Sequence, residues 1–464
     1  PPSPPSPPFH LGVMLETSQR RTGAAASPWC FDGSAAGPSC NTCSRYAQGA
    51  WVQTEKPPLY RLTSSLLAVR AGVSISNRST HHYGNCADQH ERRHGGRSSI
   101  PEREWRPTGC RLEQFERERA CATLRSVGRS LLIVGDSTTG QLFLSISMML
   151  GATLGRNRDK KSVLNDVTAS ACNDTVRISF VRRDLLLFAM HQHEIGQVRR
   201  CNPRFRELIG TSLYPRRASI ADAVVLSTGH HHPAVQEQLG RSADAFFTRS
   251  LNHTLQSIAR LRAARGKPPA SLVVLGATLP VPHCTRYSQP IDLAEYLAAD
   301  AGERRVRYGN SWRRITRLNW VASTLARAAG ASYLAVDELS ARRPDAAMAQ
   351  AAAAAEPTSE AAKRVPDCLH YCQPGPTDAW SNLLLNLLAS WQRGGLRLPA
   401  AAGDGFFGVE GDKWVSMRGA GLHLERSSQR SADKAQSLTK EWWWPFGNCS
   451  RTREKRATEL IRAM

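Results

Sequence analysis

The chain has 464 residues, 41% of them hydrophobic and 22% charged, a balance that excludes a disordered polymer and allows one large core or two. No apolar run approaches the roughly 18–20 residues that span a bilayer, so no membrane helix is expected within it. The formal charge of +22 rests on 52 arginines and nine lysines; it is either a basic surface for a polyanion or coding bias, since alanine is abundant throughout, and no motif favours a nucleic-acid partner.

Residues 1–28 read as a Pro-rich linker that opens on Pro-Pro-Ser-Pro-Pro-Ser-Pro-Pro, an extended polyproline pattern. Residues 29–125 cluster Cys, Arg and turn residues, as in a lobe pinned by disulfides. Between 126 and 395, short apolar runs alternate with helical patterns. Residues 131–134 predict a buried strand, and Leu142, Ile146, Met149 and Leu150 follow it at helical spacing. Further strands are predicted at 176–181, 185–190, 223–226, 271–275 and 332–336. Leu251, Leu255, Ile258 and Leu261 mark a helix ending near Gly266. Trp312, Ile315, Leu318, Val321 and Leu325 mark another, ending at Gly330. This alternation implies an α/β sandwich around a parallel sheet. The alanine-rich run at 346–355, within an insertion spanning about 346–362, reads as a surface segment that lengthens the approach to Asp367. Residues 396–464 form a basic tail containing Trp442, Trp443 and Trp444.

Two stretches carry chemistry. In the first, Gly135-Asp136-Ser137 lies between the predicted strand and its helix. A serine at the carboxyl end of a strand, beside the amides of a helix N-terminus, stands where an oxyanion can be received. By itself the triplet favours a helix cap over a nucleophile. In the second, Asp367 and His370 lie three residues apart, so both can serve one serine as orienting acid and base.

Together these stretches resemble the plant trichome-birefringence-like proteins, within the PC-esterase group of SGNH/GDSL-type hydrolases. Those proteins carry Gly-Asp-Ser after a first strand and Asp-x-x-His-x-Cys-x-Pro-Gly-x-x-Asp-x-Trp near the C-terminus. The second pattern is matched here at Asp367, His370, Cys372, Pro374, Gly375, Asp378 and Trp380. Residues 49–52 and 105–115 resemble the two ends of the family's N-terminal module. Ser227-Thr-Gly229-His230-His231-His232 resembles the family's Asn-Thr-Gly-His-Trp-Trp, with Ser227 replacing the Asn and two histidines replacing the tryptophans. The resemblance implies an SGNH-like three-layer α/β/α sandwich with a disulfide-rich N-terminal lobe. Ser137, His370 and Asp367 are then the catalytic residues. Asp136, Ser227, Gly229 and His230 are expected around the oxyanion or substrate, and the three histidines are expected to line a groove. The implied disulfides are Cys43 with Cys110, Cys86 with Cys372, and Cys284 with Cys368.

The implied function is polysaccharide O-acetylation through a serine acyl-enzyme. An esterase acting on acetylated glycans and a catalytically silent glycan-binding protein are the alternatives. An acetyl donor is required, and no bound cofactor is implied. No metal is expected, because Cys40-x-x-Cys43 has no partner pair and adjacent histidines rarely converge on one ion. The partner is a polysaccharide acceptor, acidic if the arginines line the groove. Twelve dispersed cysteines and sequons at Asn77, Asn173, Asn252 and Asn448 point to the secretory pathway. The expected location is the Golgi lumen, with a type II membrane anchor preceding residue 1, or the cell exterior.

Overall fold

The computed structural model describes residues 46, 49–56, 60, 103–107, 112–155, 166–186, 214–232, 243–268, 271–281, 283–296, 311–349, 367–393, 407–410 and 413–416. By internal contacts the chain divides into two units. The smaller, 187–213 with 399–464, contributes one antiparallel hairpin at Phe407–Glu410 and Lys413–Ser416. Trp442 to Trp444 lie outside the described residues, as do Cys43, Cys86 and Cys110.

The larger unit, 1–186 with 214–398, begins with two paired strands, β1 (Gly49–Gln53) and β2 (Arg103–Pro107). There follow α1 (Arg117–Val127), β3 (Ser130–Gly135) and α2 (Ser137–Met149). Next come β4 (Thr153–Leu154), β5 (Asp166–Ala171), β6 (Val176–Arg182), α3 (Tyr214–Ile220) and β7 (Ala223–Leu226). The unit continues with α4 (Ala243–Ala263), β8 (Leu272–Leu275), α5 (Ser311–Ala328), β9 (Ser332–Leu334), α6 (Asp337–Ala341) and α7 (Pro376–Arg393).

Seven strands form one sheet in the order β4-β5-β6-β3-β7-β8-β9. The five from β6 to β9 are parallel, and β4 and β5 add an antiparallel edge. That edge departs from the all-parallel expectation because β5 and β6 are joined by a tight turn, not by a helix. Cys172, Asn173 and Asp174 all take positive φ there, without a glycine. A disulfide from Cys172 to Cys121 of α1, which no sequence argument anticipated, ties the turn down.

Strand alternation gives the sheet two faces. Leu131 and Ile133 join a core with Leu142, Phe143 and Ile146 of α2 and Leu383, Leu384 and Leu387 of α7. Leu132 and Val134 point the other way; α3 meets β3, α5 meets β8 and β9, and α4 packs on α3 and α5. The result is an SGNH-like three-layer α/β/α arrangement with a parallel-rich central sheet. Every residue of α2 is buried, as expected for a helix enclosed by a sheet and a second helix.

Three strand and helix expectations need correction. Residues 184–185 form a turn, Leu186 follows at φ 50°, and 187–190 lie outside the described residues. The strand at 332–336 stops at Leu334, because α6 starts three residues later. On α4, Leu261 is 41% exposed and Arg262 takes the inward place. The stripe runs 251, 255, 258, 262, and the Arg262 guanidinium donates to the carbonyls of Ala218, Ala221 and Asp222 and to Ser271 Oγ. Both terminal nitrogens of the buried guanidinium are met in this way, while Nε has no hydrogen-bond partner among the described residues.

The β1–β2 pair is fastened to the segment that follows α6. Trp51 and Trp105 pair across the strands with ring centroids 5.5 Å apart. Trp51 Nε1 donates to the Leu339 carbonyl at 2.8 Å. Arg343 covers the Trp51 ring and Arg342 the Trp105 ring, while Arg342 also donates to the Gly49 carbonyl. Arg343 is buried and paired with Asp345 at 2.9 Å.

Candidate active site

Ser137 is the first residue of α2, directly beyond the carboxyl end of β3, and is 9% exposed. Gly135 permits the tight exit, because a Cβ there would come within 2.6 Å of the Ser227 carbonyl and strike the Thr139 side chain. Asp136 caps the helix: its Oδ1 accepts from the amides of Thr138 at 3.0 Å and Thr139 at 3.3 Å. Gly140 N–H is satisfied by the Asp136 carbonyl. The cap thus occupies the second and third amides of α2, and the Asp136 carbonyl the fourth.

His370 and Asp367 reach this serine from the loop before α7. His370 Nε2 lies 2.7 Å from Ser137 Oγ, and His370 Nδ1 lies 2.9 Å from Asp367 Oδ2. An ionised carboxylate only accepts, so Nδ1 carries the proton and Nε2 accepts the Ser137 hydroxyl proton. Asp367 Oδ1 also accepts the backbone N–H groups of Leu369 and His370, each at 3.1 Å. Burial alone would raise the Asp367 pKa, but the electrostatic pull of the His370 ring, its N–H and these two amides hold the carboxyl well below the usual range. The structure therefore brings together the serine, base and acid named from sequence, in a geometry suited to general-base activation of a hydroxyl.

The loop is held on several sides. Cys284, after β8, is joined to Cys368. Cys372 is also disulfide-bonded. Residues 346–349, expected as the start of a surface insertion, are instead buried behind the loop. Met348 N–H donates to the His370 carbonyl at 2.8 Å, Ala349 N–H to the Asp367 carbonyl at 2.9 Å, and Cys372 N–H to the Ala346 carbonyl at 2.8 Å. Small side chains let the two backbones approach this closely, which an alanine run read for composition alone does not reveal. Residues 350–366 lie outside the described residues.

The neighbouring β7 turn holds the remaining expected residues. Ser227 is buried and donates its N–H to the Val134 carbonyl at 3.0 Å. At Gly229, a Cβ would lie 2.9 Å from that of Ala277. The expected histidine-lined groove is not formed by all three rings. His230 Nδ1 meets Asp136 Oδ2 at 2.8 Å and its Nε2 meets the Thr278 carbonyl at 2.8 Å, leaving neither ring nitrogen for substrate. His232 is fully buried against Phe247, 4.9 Å between centroids, with Nε2 3.1 Å from Thr228 Oγ1. Only His231, with Nε2 3.6 Å from Asp184, remains partly open, because the turn alternates its side chains between core and surface. Among the described residues, no three His, Cys, Asp or Glu side chains are grouped to hold a metal.

Sequence reasoning missed Gln141, one helical turn beyond Ser137 and fully buried. Its side chain donates to the Tyr371 carbonyl at 2.7 Å and accepts the Tyr371 N–H at 3.1 Å. The available signal was a lone amide amid residues otherwise suited to a buried helix.

Residues 282–387 match the PC-Esterase family, the GDSL/SGNH-like acyl-esterase family found in Pmr5 and Cas1p. The match covers Asp367, His370 and both described cysteines of the loop; Ser137 precedes it. No curated protein matches the chain. Among solved structures, a catalytic mutant of Axe2, an acetylxylan esterase from Geobacillus stearothermophilus, is 9% identical and covers 56% of this chain and 94% of that one, with a TM-score of 0.28. The family match and the Ser137–His370–Asp367 geometry agree on serine-dependent acyl-ester chemistry.

Proposed function

We propose that this protein is an O-acetyltransferase that moves an acetyl group through Ser137 onto hydroxyls of a polysaccharide, in the manner of the trichome-birefringence-like proteins. The observation that carries the acyl chemistry is the 2.7 Å contact between Ser137 Oγ and His370 Nε2. Ser137 Oγ attacks the donor carbonyl as His370 Nε2 takes its proton, and Asp367 steadies the resulting imidazolium. The Ser137 amide, with Gly229 beside it, receives the tetrahedral oxyanion. The oxyanion collapses, the donor's leaving group departs with the proton from His370, and an acyl-serine remains. A sugar hydroxyl then gives its proton to His370, attacks the acyl carbon and displaces Ser137, which recovers the proton. Water in place of the sugar makes the same site an esterase, the reading favoured by the match to an acyl-esterase family. The disulfides Cys121–Cys172 and Cys284–Cys368 support a place in the oxidising secretory pathway, the Golgi lumen or the cell exterior.

The purified protein and its Ser137→Ala variant, incubated with an acetyl donor and a panel of unacetylated neutral and acidic glycans, test this reading. Mass gain of one acetyl unit on a glycan, absent in the variant, supports the transferase. Release of acetate alone replaces it with an esterase. Glycan binding with no acyl-serine and no turnover leaves a binding protein.

A further inference from the structure

We propose that Gln141 is a positioning residue that holds His370 at bonding distance from Ser137, a proposal that rests on reading these two as base and nucleophile. Ser137 and Gln141 are four residues apart on α2 and so share one face, one turn above the other. His370 and Tyr371 are adjacent on the loop. The Ser137–His370 contact and the Gln141–Tyr371 pair are therefore successive rungs between the same two segments.

The loop has the alternation of a strand. The His370 carbonyl and the Cys372 N–H turn toward residues 346–348, while both backbone groups of Tyr371 turn toward α2. Among the described residues, no strand lies on the α2 side to receive them. The Gln141 side chain takes that place, offering a donor and an acceptor as a backbone would. Its own carbonyl accepts from Gln373 Nε2 at 2.7 Å, adding a third tie to the same loop. The disulfide at Cys368 anchors the loop to the segment after β8, and not to the helix that carries the nucleophile. Ser145 of α2 ties the start of α7 at the Thr377 carbonyl and Asp378, and Gln141 is the tie that falls beside His370 itself.

A fully buried glutamine loses its rotamer freedom and must be desolvated. A leucine or methionine would fill the same space within an otherwise buried helix. What the amide adds is a defined register between two segments that, among the described residues, have no other strand-like pairing.

The full chain, with Gln141→Met and Gln141→Asn variants, decides the matter through covalent labelling by a fluorophosphonate probe. Methionine keeps the volume without the hydrogen bonds, and asparagine keeps the amide but withdraws it by one methylene. Two quantities are read separately: the fraction of molecules labelled and the rate constant of labelling. The expected result is a labelled fraction near wild type and a rate constant lower by roughly 10- to 100-fold, since a displacement of about 1 Å costs that much. A purely structural role lowers the labelled fraction and leaves the rate of the folded molecules unchanged. Rate constants within twofold of wild type, or failure of both variants to fold, overturn the proposal. Folded wild type that does not label, or labels equally as Ser137→Ala, overturns the nucleophile reading itself.

Discussion

His230 and Asp136 form a buried ion pair directly behind the nucleophile. The partners of the ring's two nitrogens, the Asp136 carboxylate and the Thr278 carbonyl, both accept, so the ring donates at each and is an imidazolium. Burial opposes that charge. The Asp136 charge and hydrogen bond, helped by the Thr278 carbonyl, outweigh it and raise the His230 pKa. In turn, burial would raise the Asp136 pKa, and the His230 charge drives it far below the ordinary carboxylate value.

The pair makes stability depend on pH in a definite direction. The raised His230 pKa contributes stability that is complete below the unfolded value of about 6.5 and is lost as pH rises through the folded value. The depressed Asp136 pKa contributes above about 3.9 and is lost on acidification. Both act between about pH 4 and 6.5. His230→Leu should cost about 3–5 kcal/mol in that window, since it leaves Asp136 buried without its partner. The cost should shrink at higher pH, where wild type also loses the proton. Urea unfolding at pH 5.5 and pH 9 measures this; an equal loss at both would mean that the ring does not change charge between them.

His232 acts in the opposite sense. Burial, reinforced by the His231 charge, lowers its pKa to about 3. Its folded value lies below the unfolded one, so stability is complete above about pH 6.5 and falls as pH drops toward 3. Replacing it with glutamine removes that dependence. The stability gap between wild type and His232→Gln should narrow by about 2 kcal/mol from pH 7 to pH 5, at 1.36 kcal/mol per unit. A gap independent of pH would count against it.

Asp367→Asn should preserve the fold and reduce turnover by roughly 10³- to 10⁴-fold, because an amide can hold His370 in the wrong tautomer. Circular dichroism with steady-state rates tests this. A loss under tenfold would show that His370 is oriented chiefly by the loop backbone.

Removing the Cys284–Cys368 bridge, by Cys284→Ala with Cys368→Ala, should cost about 4 kcal/mol, given the 84-residue separation that it closes. The loss should appear in denaturant unfolding. Non-reducing peptide mapping of the wild type should recover the linked pair, and free thiols at both positions would remove the bridge from the account.

The nucleophile turn was legible because strand, Gly135, Ser137 and helix are contiguous, and local patterning suffices for such a unit. Asp367 and His370 were legible because three-residue spacing is itself local. Other features escaped for reasons of non-local geometry. Arg262 looks like a surface residue until three carbonyls converge on it. Residues 346–349 look like filler until the loop at 367–372 is laid against them. His230 and His232 look alike in sequence, and only Asp136 on one side and Phe247 on the other separate an ion pair from an apolar packing contact. The edge strand β5 was missed although Val167, Ala169 and Ala171 alternate, because small residues weaken the period-two signal.

Ser137 and His370 meet across 233 positions of sequence. At a synthesis rate of roughly 5–20 residues per second, the nucleophile leaves the ribosome about ten to fifty seconds before its base exists. Throughout that interval β3 and α2 can pack, the Asp136 cap can close, and Ser137 remains an ordinary hydroxyl. The chain is chemically silent until nearly its whole larger unit has been made, so the gain of serine reactivity marks the arrival of the C-terminal segment and reports on completed assembly.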